Sequence, residues 1–217
     1  AGARAAGHDF IDLWAQVGVF LSDQAGSAPA DALYVVFIGG NDIRDARDAP
    51  DKETARAIID NAVEAIEQEV RMLVERGAES LLIVNAPDIG ALPETRLIAE
   101  LTGDRQFVRQ TTLLSRDFNK QLARGMRGIE RDLDIDLIEF DLFSLFQFSM
   151  TNNDALGFTN TTDACFSSVT FTFDSECLDG EAFDDFIFFD EIHPTARLHE
   201  RTGRAMFSVV PEPVELT

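Results

Sequence analysis

The chain has 217 residues and a mass of 24.0 kDa, enough to bury one substantial core, so a single domain over 1–217 is expected, with 209–217 as a C-terminal tail. Its 39 acidic against 18 basic side chains, a formal net charge of −21, argue against nucleic acid and anionic membrane surfaces as main partners, because both would repel it. No run approaches the ~18 consecutive apolar residues of a membrane helix, and 45% hydrophobic with 26% charged residues is ordinary for a globular protein.

In chain order, Phe10, Leu13, Trp14, Val17 and Phe20-Leu21 recur at helical spacing over 8–22. Gly26, Ser27 and Pro29 break that pattern. Leu33–Phe37 is a bounded apolar run, expected to be a buried parallel strand, and Gly39-Gly40 closes it. A polar, Asp-rich loop is expected from there to Pro50. Residues 52–76 form the clearest helix, with Ala55, Ile58, Ile59, Ala62, Val63, Ile66, Val70, Leu73 and Val74 on one face and Gly77 as its stop. Ser80–Val84 is a second buried strand, followed by a Pro-containing loop over 85–93. Strand, long helix, strand is a βαβ unit, which implies a right-handed crossover and a parallel sheet.

A second long helix is expected over about 105–132, with Phe107, Thr111, Leu114, Phe118, Leu122, Met126 and Ile129 facing inward. Gly125 and Gly128 would loosen its last turns. Ile135–Phe140 reads as a third strand and Leu142–Met150 as a short apolar helix or turn. Residues 151–185, rich in Thr, Asn, Asp and Gly, read as an ordered excursion with a hairpin near 169–173. Phe186–Phe189 leads into Asp190, and a helix from about Thr195 to Ser208 closes the domain, with Pro194 suited to its first turn. No internal repeat and no dividing linker is visible.

Two stretches carry chemistry. Gly39-Gly40-Asn41-Asp42 lies at the carboxyl end of a parallel strand, where open α/β sheets place their sites. Glycines there let backbone approach a ligand, and the Asn41 amide could donate to a developing negative charge. Alone, that tetrapeptide is a turn signal. The second stretch is Asp190-Glu191-Ile192-His193-Pro194-Thr195, in which an acid three residues before a histidine is a compact way to orient a catalytic imidazole.

Together these resemble two sequence blocks of the SGNH (GDSL) hydrolases, serine esterases and lipases. Ala1-Gly2-Ala3-Arg4-Ala5 is similar to the end of the family's second block, Asn85–Pro93 to the loop after a middle strand, and Gly157–Cys165 with Phe188-Phe189-Asp190 to the secreted bacterial phospholipase/lecithinase/haemolysin-like branch. The resemblance implies a three-layer, flavodoxin-like α/β fold with a parallel sheet flanked by helices. It implies ester hydrolysis or acyl transfer through an acyl-serine. His193 would be the base, Asp190 the acid that orients it, and Asn41 (side-chain amide) with Gly2 (backbone N–H) the oxyanion donors. Glu191 would point to solvent, and Asp42 would brace its turn.

The family's Gly-Asp-Ser block, carrying the nucleophile on the first strand, does not occur in the sequence. That block and strand are expected upstream, in cis or as a separate N-terminal segment. No serine present has an activating context; Ser175 in Phe173-Asp174-Ser175-Glu176 is the nearest imitation. The alternative is a non-catalytic binding or surface module that kept the fold and lost the serine.

No cofactor is called for. The stretch Asn152–Gly157 with Asp163 only faintly resembles a calcium loop, because Leu156 takes a ligand position, so no metal is expected. The partner is a small-molecule or lipid ester. Cys165 and Cys177, close together in a polar, turn-rich stretch, suit a disulfide in an exported protein, against two free thiols in a cytosolic one. A secreted or cell-surface bacterial location follows from the resemblance. Val210-Pro211-Glu212-Pro213 resembles the start of a Pro-Glu-Pro sorting tail, against simple proline punctuation after the last helix.

Overall fold

The protein is described by a computed structural model covering Ala3 and residues 12–211. Packing groups these into two compact units. One takes the chain up to Ile89 together with Gln110–Asp141, the other Gly90–Arg109 together with the chain from Leu142.

The first unit is a parallel sheet, ordered β1-β2-β3, of β1 (Leu33–Phe37), β2 (Ser80–Val84) and β3 (Ile138–Phe140). Val35 pairs with Leu82, and Leu82 with Ile138. The sheet is flanked by α1 (Leu13–Asp23), α2 (Gly40–Arg47), α3 (Lys52–Glu75) and the greater part of α5 (Phe107–Leu133). The βαβ unit read from the pattern is therefore present, in parallel pairing. At the start of α3, the Asp51 carboxylate accepts from Thr54 N at 2.7 Å, satisfying one of the orphan amides of the first turn. The helix buries Ala55, Ile59, Ala62, Val63, Ile66, Val70 and Leu73 as one stripe. Each large aliphatic side chain so buried contributes roughly 1.5–3 kcal/mol. On α5 the buried row is Thr111, Ser115, Phe118, Leu122, Met126 and Ile129. Gly125 does not loosen this helix: a Cβ there would collide with the Glu67 side chain, so the glycine gives α3 room to pack.

Three further expectations for this unit need correction. The Asp-rich stretch after Gly39 is helical, because Ile43 and Ala46 are both buried and give α2 an inward side that its charged residues disguise in the sequence. Strand β1 is not buried on both faces. Val36 is buried, but Leu33, Val35 and Phe37 are exposed, because β1 is an edge strand whose other face carries no helix among the described residues. The third strand is shorter than expected, beginning at Ile138 rather than Ile135.

The second unit holds α4 (Pro93–Thr102), α6 (Leu142–Thr151), α7 (Asn153–Leu156), β4 (Asn160–Ala164), the two-residue strands β5 (Phe166–Ser167) and β6 (Thr172–Phe173), β7 (Phe186–Phe188) and α8 (Ala196–Phe207). Helix α4 was not expected, although Pro93 opens it and Gly103, in left-handed backbone, follows its end. β4 and β7 pair in parallel; β5 and β6 form an antiparallel hairpin, as expected in that region. Between them Cys165 and Cys177 are joined in a disulfide with Cα atoms 5.3 Å apart, fully buried against Phe186. Arg197 on α8 straps the unit: Nη1 donates to the carbonyls of Gly157 and Asp184, both at 2.9 Å, and the guanidinium lies 5.2 Å from the Phe158 ring centre. Residues 152–157 form α7 and its caps.

Candidate active site

Strand β7 is apolar and buried throughout, and its end launches the turn that holds Asp190 and His193. The chain reverses over Phe189–Pro194. Phe189 N donates to His193 O at 2.8 Å, Phe188 bridges to Pro194, and Thr195 ties back to β7 through its N–H to Ile187 O (2.9 Å) and its hydroxyl to Phe186 O (2.8 Å). Thr195 is the N-cap residue of α8, so Pro194 precedes the helix instead of opening it.

Inside this turn, the Asp190 carboxylate is surrounded by donors. Its Oδ1 accepts the backbone N–H of Ile192 (2.9 Å) and of His193 (2.7 Å). His193 Nδ1 lies 2.8 Å from Oδ2 and 3.0 Å from Oδ1. Burial pushes the Asp190 carboxyl up, but hydrogen bonds from the imidazole and the two amides, with the charge that the imidazole carries when protonated, outweigh it and hold the group below the usual carboxylate range. A nitrogen facing an ionised carboxylate carries the proton, so Nδ1–H donates and Nε2 holds the lone pair, directed away from Asp190. The aspartate side chain is 15% exposed and the imidazole 63%. The carboxylate is thus sheltered while the imidazole is largely open to solvent.

Glu191 does not point to solvent. Its carboxylate accepts from Ser168 Oγ at 2.6 Å and from Ser168 N at 3.1 Å, and its carbonyl accepts from Glu94 N at the start of α4 at 3.0 Å. Burial raises its carboxyl, and the serine donors more than reverse this, leaving it below the usual range. No sequence motif marks Ser168 or Glu94. Only the shortage of amide partners in a turn this tight hints that such donors and acceptors must exist.

The glycine–asparagine block lies in the first unit. Gly39 is the N-cap residue of α2 with φ at 110°, and a Cβ there would overlap the Phe118 ring, so glycine is required twice over. Asn41 stands in the first turn of α2. Arg44 Nη1 donates to its Oδ1 at 3.2 Å, which fixes the carboxamide with its amide nitrogen turned the other way. Asp42 is buried at the same turn. Gly2 lies outside the described residues. Among those described, the His193 side chain hydrogen-bonds Asp190 and no serine, Ser175 is exposed, and no cluster of three or more metal-ligating side chains forms.

The GDSL-like lipase/acylhydrolase family profile matches residues 1–206 of this chain. The chain belongs to that family. Its relatives include two GDSL esterase/lipases of Arabidopsis thaliana. One is 23% identical over 177 residues, covering 78% of this chain and 49% of the relative; the other is 25% identical over 211 residues, covering 88% and 57%. A protein of the same plant named as an inactive GDSL esterase/lipase-like protein is 22% identical over 191 residues, covering 84% and 45%. The chain therefore spans about half the length of the curated GDSL relatives it matches. The family is named for its lipases and acylhydrolases.

Proposed function

We propose that this chain supplies the acid–base half of a serine-type ester hydrolase, its two units serving as one hydrolase domain. The observation that carries the reading is the Asp190–His193 pair, held in a pinned turn with Nε2 facing solvent. In the proposed cycle, Nε2 takes the proton of a serine hydroxyl as that oxygen attacks the ester carbonyl. The oxyanion donors that we propose are those of the family resemblance, the Asn41 amide and the Gly2 N–H. The imidazolium, stabilised by Asp190, gives its proton to the leaving alkoxide. Water, deprotonated by the same Nε2, then attacks the acyl-serine, and the imidazolium returns that proton to the departing serine oxygen as the acid is released; another alcohol in place of water would give acyl transfer.

The nucleophile is proposed to lie on polypeptide outside these 217 residues. Two observations support this: the sequence has no Gly-Asp-Ser, and the edge and exposed apolar face of β1 suit a further strand with its covering element. Export is proposed from the buried Cys165–Cys177 bridge together with the high acidic charge, in line with the secreted bacterial branch. The substrate is proposed to be a small-molecule or lipid ester. A second reading is a non-catalytic module, favoured by the missing motif and by the relative named as inactive.

Serine-directed phosphonate labelling of the full-length protein, followed by peptide mapping, separates these. The expected label falls on a serine outside the 217 residues, with His193→Ala lowering turnover about 10⁴-fold or more without unfolding the domain. A label on Ser175 or another serine of this chain would overturn the placement of the nucleophile. No label and no turnover would favour the binding module.

A further inference from the structure

The β5–β6 hairpin, unused in the proposed mechanism, ends in a tip whose two large side chains are turned into water. Val169 is 69% exposed and Phe171 79%. The backbone of Phe171 is left-handed, with φ at 58°, a conformation that a bulky L-residue adopts at a cost of roughly 1–2 kcal/mol. A strained and exposed phenylalanine contributes nothing to the folding of its own hairpin, and such local conflicts mark functional positions.

The tip is also firmly mounted. Phe171 N donates to Ser167 O at 2.9 Å, and the hydroxyls of Thr170 and Thr172 are 2.7 Å apart. At its base, the rings of Phe166, Phe173, Phe183 and Phe189 close a four-membered aromatic circuit with centroids 5.3–6.1 Å apart. The disulfide at Cys165 adjoins that base. Ser168, within the tip, is gripped by Glu191, which stands between Asp190 and His193. The apolar tip and the imidazole are therefore fixed to the same short turn.

We propose that this tip docks the protein on a lipid–water interface that carries no net negative charge. Two protruding side chains cannot supply the ~800 Å² per partner of a stable protein–protein contact, but they suffice to wedge into a headgroup layer, as interfacial anchors do. Charge selects the surface. Residues 168–173 are uncharged, while no Lys or Arg occurs between Asp141 and His193, and Asp174, Glu176 and Asp179 follow the tip at once. An anionic bilayer would repel this region; a zwitterionic one would not. Docking would present the His193 turn to esters gathered in the interface, a consequence that rests on the hydrolase reading, whereas docking itself does not.

The test is flotation of the protein with dioleoylphosphatidylcholine vesicles, alone and with a third of phosphatidylglycerol. Binding to the zwitterionic vesicles is expected, weakened by the anionic lipid. Phe171→Asn should lower partitioning by roughly tenfold or more, and because asparagine accepts left-handed backbone, that variant should fold at least as stably. Val169→Ser provides an independent second variant with the same expected direction. Hydrolysis of a short, soluble ester by the full-length protein should be unchanged by either substitution. The proposal is overturned by wild-type protein that does not float, by variants that float equally well, or by a Phe171-dependent dimer in sedimentation. Loss of hydrolysis in the wild type with intact flotation would remove the enzyme reading and leave the docking surface standing.

Discussion

Replacing Asp190 by Asn or by Ala should separate chemistry from architecture. Asp190 makes two kinds of contact: Oδ1 accepts the amides of Ile192 and His193, and Oδ2 faces His193 Nδ1 at 2.8 Å. Asparagine keeps an oxygen for both amides, so the turn should survive. It sets an NH₂ against Nδ1, which must then accept, and the imidazole proton moves to Nε2. That nitrogen can no longer take a proton from a nucleophile, and a loss of about 10⁴-fold in kcat, near 5.5 kcal/mol, is expected from the serine-protease precedent. Alanine removes the amide acceptor too, at an added cost of about 1–3 kcal/mol in stability. Acid provides a further check. Because the folded carboxyl is held below its ordinary range, the stability it contributes is complete above the ordinary aspartate pKa of about 3.9 and is lost as pH falls through the lowered value. Asp190→Asn should flatten that part of the acid limb. Turnover of a soluble nitrophenyl ester by the full-length protein, with melting temperatures from calorimetry, reads both effects. Asparagine retaining more than a tenth of the activity, or alanine as stable as asparagine, would refute the reasoning.

Other consequences are as direct. The Cys165–Cys177 bridge closes a loop with a sequence separation of 12, and chain entropy puts its contribution at about 3 kcal/mol; the double alanine variant should lose that much in urea titration, and thiol titration of the unfolded, unreduced wild type should find none. Gly39→Ala meets both a left-handed backbone and the Phe118 ring, so it should destabilise the fold by roughly 1–3 kcal/mol in urea unfolding, while Gly203→Ala, with open space around it on α8, should be neutral or stabilising. Arg197→Lys keeps the charge but not the planar fork that reaches Gly157 and Asp184 while covering Phe158, and thermal melting should show a loss of about 1 kcal/mol.

Much of this architecture could be read before any coordinates. Periodicity located α3, β2 and most of α5, because long amphipathic stripes and short apolar runs obey local rules. Asp190 and His193 are three residues apart, so their contact needs only one tight turn, and such pairs are visible in sequence. Helices α2 and α4 were missed for a different reason. In α2 the buried positions are few and lie among Arg and Asp, and the preceding glycines look like a turn. In α4 only Pro93 and Thr95 are buried, so there was no stripe to see; its Pro and Gly punctuation was the available signal. The exposed face of β1 could not be foreseen, because an apolar run reports what a strand can bury, not what is present to cover it. The Ser168–Glu191 contact joins residues 23 apart in sequence, and no pattern connects them.

The same locality bears on what a nucleophile would contribute to the stability of this chain. The proposed acid–base pair is built by a turn whose anchors, Phe186, Ile187, Phe189, Thr195 and Glu94, all belong to the second unit, and none of them is a nucleophile. The glycine that shapes the Asn41 turn is supported separately, by Phe118 in the first unit. Neither arrangement draws on an attacking serine for its stability. Removing the serine should therefore abolish turnover without a folding penalty, since preorganised groups are held by their own hydrogen bonds and not by the reaction they serve. A chain built in this way would keep its shape without a nucleophile. The Asp190–His193 contact is thus the geometry that a general base requires, and the proposed esterase activity rests on a serine for that base to deprotonate.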